Sequence, residues 1–395
     1  MSPIKKMYVK ELDKLRSQKI FSKPVVAVML RRDILQNLKK QMNYSWLYYL
    51  IEANQAVKNT LYFFSLGDVN LREKKIKGYY WHRKRQKLVQ QDFPLPDVLY
   101  VRSGIHHRYT KTYRDLFNAV RQKNGHLITQ TTFNKWRLYQ VISQSPTLKK
   151  YLPDTRTVEK TEDIEKMLQK YKTIYLKPHV GRKGENVLRI RTMPDGSYQC
   201  SNFRNGQLVV RMVPDLQTLF LEINNFYQSR KFLVQQGIQL LQFENRLVDL
   251  RAEVQYDGNG KANIVGISAR LGQPLSPITT HGDAYKFEDF FRNYLGYTKE
   301  QLEKLRSEVY VFLTNIYEYL QKNYGRYAEI GIDFAVDVNQ QIWFIEANSR
   351  STKVSLEKAY GKTALYQSAK NILNYAKYLS TLPKKRRKTL SPSVR

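Results

Sequence analysis

The sequence predicts an α/β fold with more than one domain, and three patterns support this. Short apolar runs of strand length recur along the chain, the first over residues 25–30. Apolar residues at three- and four-residue spacing mark helices, most clearly over residues 300–324, where one stripe ends at Gly325. Two strand-like runs in the last third are joined by a short polar turn at Asn339 and Gln340. At 395 residues, the chain is long enough for two or three units with separate cores.

The order of these patterns predicts four segments. A basic extension over residues 1–24 precedes a small α/β unit over residues 25–125. A larger unit is expected over residues 126–375, with its own helices, a strand-rich middle and a final strand pair. Residues 376–395 are expected to form a basic tail.

Composition excludes several classes of protein. A hydrophobic content of 42% argues against wholesale disorder, and the lone Cys200 excludes an intramolecular disulfide framework. No apolar run approaches the roughly 18 residues that span a bilayer, and the basic N-terminus lacks the apolar core of a secretory signal. We therefore expect a cytoplasmic protein. A net charge of +33 predicts attraction to polyanions, with nucleic acid, anionic lipid and an acidic wall polymer all open.

The most informative segment is the strand pair near the C-terminus. Strand alternation over residues 329–338 places apolar side chains on one face and three acids on the other: Glu329, Asp333 and Asp337. A tight hairpin then brings Glu346 and Asn348 of the next strand level with Asp333. Two carboxylates and an amide oxygen form the hard ligand set that Mg²⁺ favours. The competing interpretation is an ordinary hairpin with acids facing solvent.

Cationic side chains at strand ends favour the first interpretation. Lys177 ends a strand just before a loop containing Gly181 and Gly184, where backbone amides can approach phosphate oxygens. Arg251 and Arg270 lie on later strands, and a planar guanidinium binds two oxygens at once. An apolar strand over residues 232–238 ends in polar residues suited to an adenine edge.

In their order along the chain, these pieces resemble a known family. The resemblance covers roughly residues 25–353 and rests on these motifs: Asn134-Lys135-Trp136, Tyr151-Leu152-Pro153-Asp154-Thr155, Tyr175-Leu176-Lys177-Pro178, Gln235-Gln236-Gly237-Ile238, Asp249-Leu250-Arg251, Gly266-Ile267-Ser268-Ala269-Arg270, Gly331-Ile332-Asp333 and Glu346-Ala347-Asn348. Together they resemble the ATP-grasp superfamily, and within it the spore-coat-associated YheC/YheD-type family of endospore-forming bacilli. The resemblance implies an ATP-grasp fold with an N-terminal α/β pre-ATP-grasp domain and with nucleotide between two subdomains.

The resemblance also implies roles for individual residues. Lys135 and Lys177, with the loop glycines Gly181 and Gly184, would hold the phosphates of ATP. The adenine would be bracketed by Gln235, Gln236 and Ile238. Arg251 and Arg270 would be the catalytic cations, facing the γ-phosphate and the acyl substrate, and Mg²⁺ would be held by Asp333, Glu346 and Asn348. The implied reaction is ATP-dependent ligation of a carboxylate to an amine or thiol through an acyl phosphate.

Two departures from the family pattern leave other functions open. The loop over residues 179–186 carries Arg182 and Lys183, and Ser349-Arg350-Ser351 stands where many superfamily ligases have proline and glycine. One alternative is a catalytically weak or inactive scaffold, associated with the spore coat in the mother cell, that docks on an anionic surface. Another is a nucleic-acid-binding protein, suggested only by the charge and the basic tail. The carboxylate substrate and its acceptor are not identified by the sequence.

Overall fold

The computed structural model describes residues 23–40, 45–102, 109–128, 133–179, 186–204, 207–274, 276, 279 and 282–383. They form three sheets, each covered by helices. The first sheet has the order β3-β4-β2-β1-β6-β7, with β5 paired to β4. Its elements are β1 (Val25–Met29), α1 (Arg32–Lys39), α2 (Ser45–Val57), β2 (Thr60–Phe64), β3 (Val69–Asn70), β4 (Lys75–His82), β5 (Lys87–Pro94), β6 (Val98–Val101), α3 (Thr110–Gln122) and β7 (His126–Ile128).

The centre of this sheet is apolar on both faces. Strand β1 pairs in parallel with β2 and β6, and all five of its residues are buried. A continuous apolar run is typical of a parallel strand covered on both sides, as the run over residues 25–30 predicts. Strand β7 extends the sheet in parallel with β6, so the N-terminal unit continues beyond residue 125.

The second sheet is antiparallel and has the order β12-β11-β10-β9-β13-β8. Its elements are α4 (Lys135–Ser143), which precedes it, β8 (Thr155–Thr157), α5 (Thr161–Lys170), β9 (Thr173–Pro178), β10 (Leu188–Thr192), β11 (Tyr198–Arg204), β12 (Gln207–Val213), α6 (Leu216–Tyr227) and β13 (Phe232–Gln236). Ile174 and Leu176 of β9 pack in one core with Ile164 of α5 and Leu219 of α6. Because side chains alternate along a strand, Lys177 belongs to the opposite face of this sheet.

The third sheet has the order β17-β16-β15-β18-β19, with β14 paired to β15. Its elements are β14 (Gln242–Phe243), β15 (Arg246–Tyr256), β16 (Ala262–Leu271), β17 (Asp283–Lys286), α7 (Phe287–Asn293), α8 (Lys299–Tyr324), β18 (Glu329–Val336) and β19 (Ile342–Asn348). The predicted apolar stripe of α8 is confirmed and packs on the even-numbered side chains of β18. Thr298 caps the start of α8, and Gly325 ends it with a φ of 95°.

The last helix, α9 (Val354–Thr381), connects the third sheet to the N-terminal unit. It bends at Gly361, and its Leu365 and Ile372 share a core with Trp46 and Leu50 of α2. Because α9 continues to Thr381, the tail predicted from residue 376 begins inside a helix. The basic stretches over residues 1–22 and 384–395 lie outside the described residues. Within the described ranges, we find no helix with both the length and the apolar character required to cross a bilayer.

Candidate functional site

The predicted acidic hairpin forms one face of the third sheet. The strand register places Asp333 directly between Arg251 on β15 and Glu346 on β19, and it places Asn348 opposite Gly331. The Asn348 Nδ2 atom donates to Asp333 Oδ2 at 3.3 Å. Asp333 is only 7% exposed, so the interpretation as a hairpin with solvent-facing acids does not describe this residue. The three predicted ligand side chains are neighbours on one surface.

The other two acids of β18 and its turn are engaged elsewhere. The Asp337 carboxylate accepts hydrogen bonds from the backbone N–H groups of Asn339 and Gln341, at 2.9 and 2.8 Å, and from Trp343 Nε1 at 2.9 Å. It therefore stabilises the turn. Glu329 is fully buried, with Lys353 Nζ 2.5 Å from its Oε2 atom. Of the predicted row of three carboxylates, Asp333 alone faces Glu346.

Both predicted arginines contact this acidic face. Arg251 donates through Nε and Nη2 to the Asp333 carboxylate, the second bond measuring 2.9 Å. Arg270 binds Asp249 with both ends of its guanidinium, at 2.6 and 2.5 Å, and its Nη2 atom lies 3.3 Å from Asp333 Oδ1. Burial by itself raises the pKa of Asp333, but Arg251 and Arg270 outweigh it and hold that pKa below its usual value. The carboxylate is therefore ionised at neutral pH.

Lys135 joins the second and third sheets. It is the first residue of α4, whose start is capped by the side chain of Asn134 through a 3.0 Å bond from Arg137 N. Its backbone N–H donates to His179 O, just after β9, at 3.0 Å. Its Nζ atom lies 2.6 Å from Glu346 Oε2 on β19. A predicted phosphate-binding lysine and a predicted metal ligand, 211 residues apart, are thus in direct contact.

Lys177 lies at the end of β9 in the same region. Its Nζ atom donates to Gln235 Oε1 at 2.5 Å. Burial and the positive charge of Lys135 together lower the pKa of Lys177 to about 8, although Glu346 acts in the opposite direction. Lys135 adjoins the same strand end, since its backbone N–H donates to His179 O, two residues after Lys177. Two lysines therefore adjoin the acidic face.

Two of the residues predicted to bracket adenine, Gln235 and Gln236, end β13, and the third follows it. Gln235 connects Lys177 with Thr155, donating through Nε2 to Thr155 Oγ1 at 2.8 Å. Gln236 accepts from the backbone N–H of Asp154 at 3.2 Å, and Ile238 lies in the segment after the strand. Gly237 is required between them, since a Cβ atom there would lie 2.6 Å from Thr173 O. Gly181 and Gly184 fall outside the described residues, so their predicted role is unchanged.

A second polar group extends the acidic face toward the N-terminal unit, and it was not expected to be part of the site. We call it the buried charge cluster; its members are Arg102, Glu253, Glu329, Ser351 and Lys353. Lys353 Nζ lies 3.3 Å from Glu253 Oε2, and Arg251 Nη1 lies 3.4 Å from Ser351 Oγ and 3.8 Å from Glu253 Oε1. In the sequence, Asp249, Arg251 and Glu253 alternate with apolar residues along β15, which indicates a polar face but does not identify its partners.

The oxygen atoms of the three predicted ligands suit a divalent metal whose coordination shell is completed by a bound phosphate compound. In the part of the chain described by the structure, no group of three or more His, Cys, Asp or Glu side chains is placed to hold a metal. Asp333 and Glu346 provide two carboxylates beside the amide of Asn348. Mg²⁺ is commonly held by one or two carboxylates together with waters and phosphate oxygens. The arrangement thus suits a metal that is bound together with a phosphate compound.

Comparison with known proteins identifies the family of this chain. Residues 124–379 match the protein family described as "YheC/D like ATP-grasp". Endospore coat-associated protein YheD of Bacillus subtilis (strain 168) is 24% identical over 314 residues, and the match covers 76% of this chain and 66% of YheD. Endospore coat-associated protein YheC of the same organism is 22% identical over 291 residues, covering 66% of this chain and 79% of YheC. This chain therefore spans slightly less than two thirds of the length of YheD.

Two solved structures are similar over most of the chain. The ATP-grasp ligase PsnB complexed with minimal precursor has 11% sequence identity and a TM-score of 0.48, covering 89% of this chain and 100% of PsnB. D-cycloserine synthetase DcsG also has 11% identity and a TM-score of 0.48, covering 90% of this chain and 98% of DcsG. The family match spans more than half of the sequence, including all elements from α4 to β19. This chain therefore belongs to the YheC/D-like ATP-grasp family and has its mixed α/β fold.

Proposed function

We propose that this protein binds Mg·ATP at the junction of the second and third sheets and uses it to activate a carboxylate for ligation. The main support is the contact between Lys135 and Glu346, beside Asp333 and Asn348. Cations suited to phosphate and oxygen donors suited to Mg²⁺ converge there from different elements. Phosphoryl transfer depends on such positioning and charge neutralisation more than on a protein nucleophile.

The proposed reaction has two steps. A substrate carboxylate oxygen attacks the γ-phosphorus of ATP, the bond to the bridging oxygen breaks, and ADP leaves. An amine or thiol then attacks the acyl carbon, and inorganic phosphate leaves with the electron pair of the acyl–oxygen bond and takes up the proton that the nucleophile loses. In this scheme Lys135 and Lys177 hold phosphate oxygens, and Arg251 and Arg270 neutralise charge that develops at the γ-phosphate and acyl group. Bound Mg²⁺ would supply further charge neutralisation at the phosphates.

Calorimetric titration with Mg·ATP tests the nucleotide site. We expect the wild type to bind, and we expect joint substitution Glu346→Gln and Asn348→Leu to weaken Mg-dependent binding at least about tenfold, since even outer partners of metal ligands contribute that much. Glu308→Gln, which removes an acid from the exposed face of α8, is the matched control. The nucleotide proposal fails if the wild type does not bind or if the double variant binds as well as the control.

A second candidate function is a structural role in which nucleotide binding persists without turnover. Two relatives are named endospore coat-associated proteins, and the net charge of +33 favours docking on an anionic layer. We propose that such docking takes place at the spore coat and that the protein is made in the mother-cell cytoplasm. Nucleotide binding without ADP or phosphate release across a panel of carboxylates and amines would favour this role. Deleting residues 384–395 should then weaken retention on an anionic support while Mg·ATP affinity is unchanged.

A further inference from the structure

The two ion pairs at the acidic face differ in how readily they can exchange partners. Arg251 and Asp333 occupy neighbouring strands in register and share two hydrogen bonds. Lys135 and Glu346 share one contact between two separate elements, and their side chains are 18% and 26% exposed. A lysine has a flexible stem and a single charged atom, whereas arginine is held by its planar fork. Lys135 is therefore the cation that can leave its carboxylate.

From this difference we infer that Lys135 is an internal counter-cation, which occupies the metal position at Glu346 until nucleotide gives the lysine another partner. The inference rests on the proposed function and concerns the regulation of the same site. It assigns Lys135 two successive contacts, first with the Glu346 carboxylate and then with phosphate oxygens. A purely structural ion pair would instead keep the first contact throughout.

Electrostatics makes the two binding events interdependent. Without nucleotide, a divalent cation that binds at Glu346 must displace Lys135, whose charge then remains near Lys177 with no anion to neutralise it. With nucleotide, the phosphates neutralise both lysines and release Glu346 for the metal. Metal and nucleotide should thus strengthen each other's binding by the same factor, which is typically about 5- to 150-fold for coupled sites. The site should discriminate against metal alone.

This inference predicts effects of opposite sign for one substitution. In Lys135→Met, Glu346 has lost its competitor, so the affinity for metal alone should rise. The same variant lacks a phosphate contact, so its affinity for the metal–nucleotide complex should fall. A lysine that only binds phosphate would leave the affinity for metal alone unchanged, and one that only holds α4 in place would lower both affinities.

The test uses Mn²⁺ as the probe, measured by electron paramagnetic resonance with and without a non-hydrolysable ATP analogue. We expect Lys135→Met and Lys135→Gln to bind Mn²⁺ alone at least about fivefold more tightly than the wild type. In both variants, the factor by which nucleotide strengthens Mn²⁺ binding should fall toward one. Lys304→Met, which removes a charge from the exposed face of α8, is the control and should match the wild type. Adding Glu346→Gln to Lys135→Met should abolish the gain.

The inference is overturned if both Lys135 variants bind Mn²⁺ alone no more tightly than the wild type. This arm requires no nucleotide, and it therefore gives an answer even if the proposed function is wrong. Failure of the proposed function has a different signature: the wild type would show no binding of the ATP analogue with Mn²⁺. A thermal melt identifies a folding defect in either Lys135 variant. If one variant is defective, the other still provides the result.

Discussion

Removing the charge of Lys353 provides the sharpest test of the buried charge cluster. Lys353 is 2% exposed, and its Nζ atom lies 2.5 Å from Glu329 and 3.3 Å from Glu253. Those carboxylates are themselves 0% and 1% exposed. The substitution Lys353→Met keeps an unbranched side chain of similar length and removes the charge together with its N–H donors. Two buried carboxylates then lose their shared cation.

The expected loss of unfolding free energy depends on the hydrogen-bond partners that the carboxylates keep. Removing one partner of a buried ion pair typically costs about 3–5 kcal/mol, because the other charge remains buried and uncompensated. Glu329 keeps hydrogen bonds from Arg102, from Tyr100 at 3.1 Å and from Gln255 at 3.2 Å. Because these partners remain, we expect the free energy of unfolding to fall by about 3 kcal/mol in neutral or basic solution, at the lower end of that range.

The loss should depend on pH with a defined sign. Burial by itself raises the pKa of Glu329, but Lys353 and Arg102 outweigh it and hold that pKa below its usual value. In the wild type, this carboxylate adds stability above its unfolded pKa, and that stability is lost as pH falls through the lower folded pKa. In Lys353→Met the pKa of Glu329 in the folded state rises. Protonation of Glu329 at lower pH then removes the uncompensated charge and with it part of the destabilisation. The difference in stability should be larger at pH 8 than at pH 5.

Urea denaturation followed by tryptophan fluorescence measures this difference. Trp46 is a local reporter, since its ring centre lies 5.6 Å from Lys353 Nζ and 4.2 Å from the Arg102 guanidinium. Lys304→Met is again the exposed control, and adding Glu253→Gln to Lys353→Met should restore part of the lost stability. A loss below about 1 kcal/mol at pH 8, or one that is equal at both pH values, would refute this account of the cluster.

Three further predictions concern single side chains. The pKa of Lys177, lowered to about 8 by burial and by Lys135, predicts that Mg·ATP affinity measured by calorimetry falls up to about tenfold from pH 7 to pH 9; an equal slope in Lys177→Arg would contradict this. Burial raises the pKa of Cys200 to about 11, so Ellman's reagent should label it slowly at pH 8 until urea unfolds the protein; rapid labelling of the native protein would contradict it. In Gly78→Ala, the added Cβ would lie 2.4 Å from Tyr62 and 2.7 Å from Phe93, two rings stacked at 4.2 Å. The expected destabilisation is about 1–3 kcal/mol, and an unchanged thermal midpoint would exclude the clash.

The sequence was most informative where the interacting residues are close along the chain. Alternation separated Asp333 from Ile332 and Phe334, and a short hairpin was enough to place Glu346 opposite Asp333. The long helix α8 could be predicted for the same reason, because its apolar stripe and its terminal glycine are both local features of the sequence. In each case the covalent chain itself restricts which residues can meet.

Contacts between residues far apart in the sequence could not be predicted in this way. Alternation assigned Glu329, Asp333 and Asp337 to one face but did not reveal which of them would be neutralised, buried or used in a turn. Those outcomes depend on partners such as Arg102, which is 227 residues from Glu329. The helical packing of residues 376–381 was missed for a similar reason, since the core that covers α9 comes from α2.

The distribution of charge separates the two proposed activities physically. Asp249, Glu253, Glu329 and Asp333 are all buried against cations, so these acids do little to offset positive charge on the surface. Exposed charges are screened by salt over roughly 8–10 Å, whereas buried pairs are screened much less. Docking on an anionic layer should therefore weaken steeply with ionic strength while the ion pairs of the nucleotide site persist. The proposed surface attachment and the proposed nucleotide binding would thus rely on different sets of side chains, so we expect that each can be altered without the other.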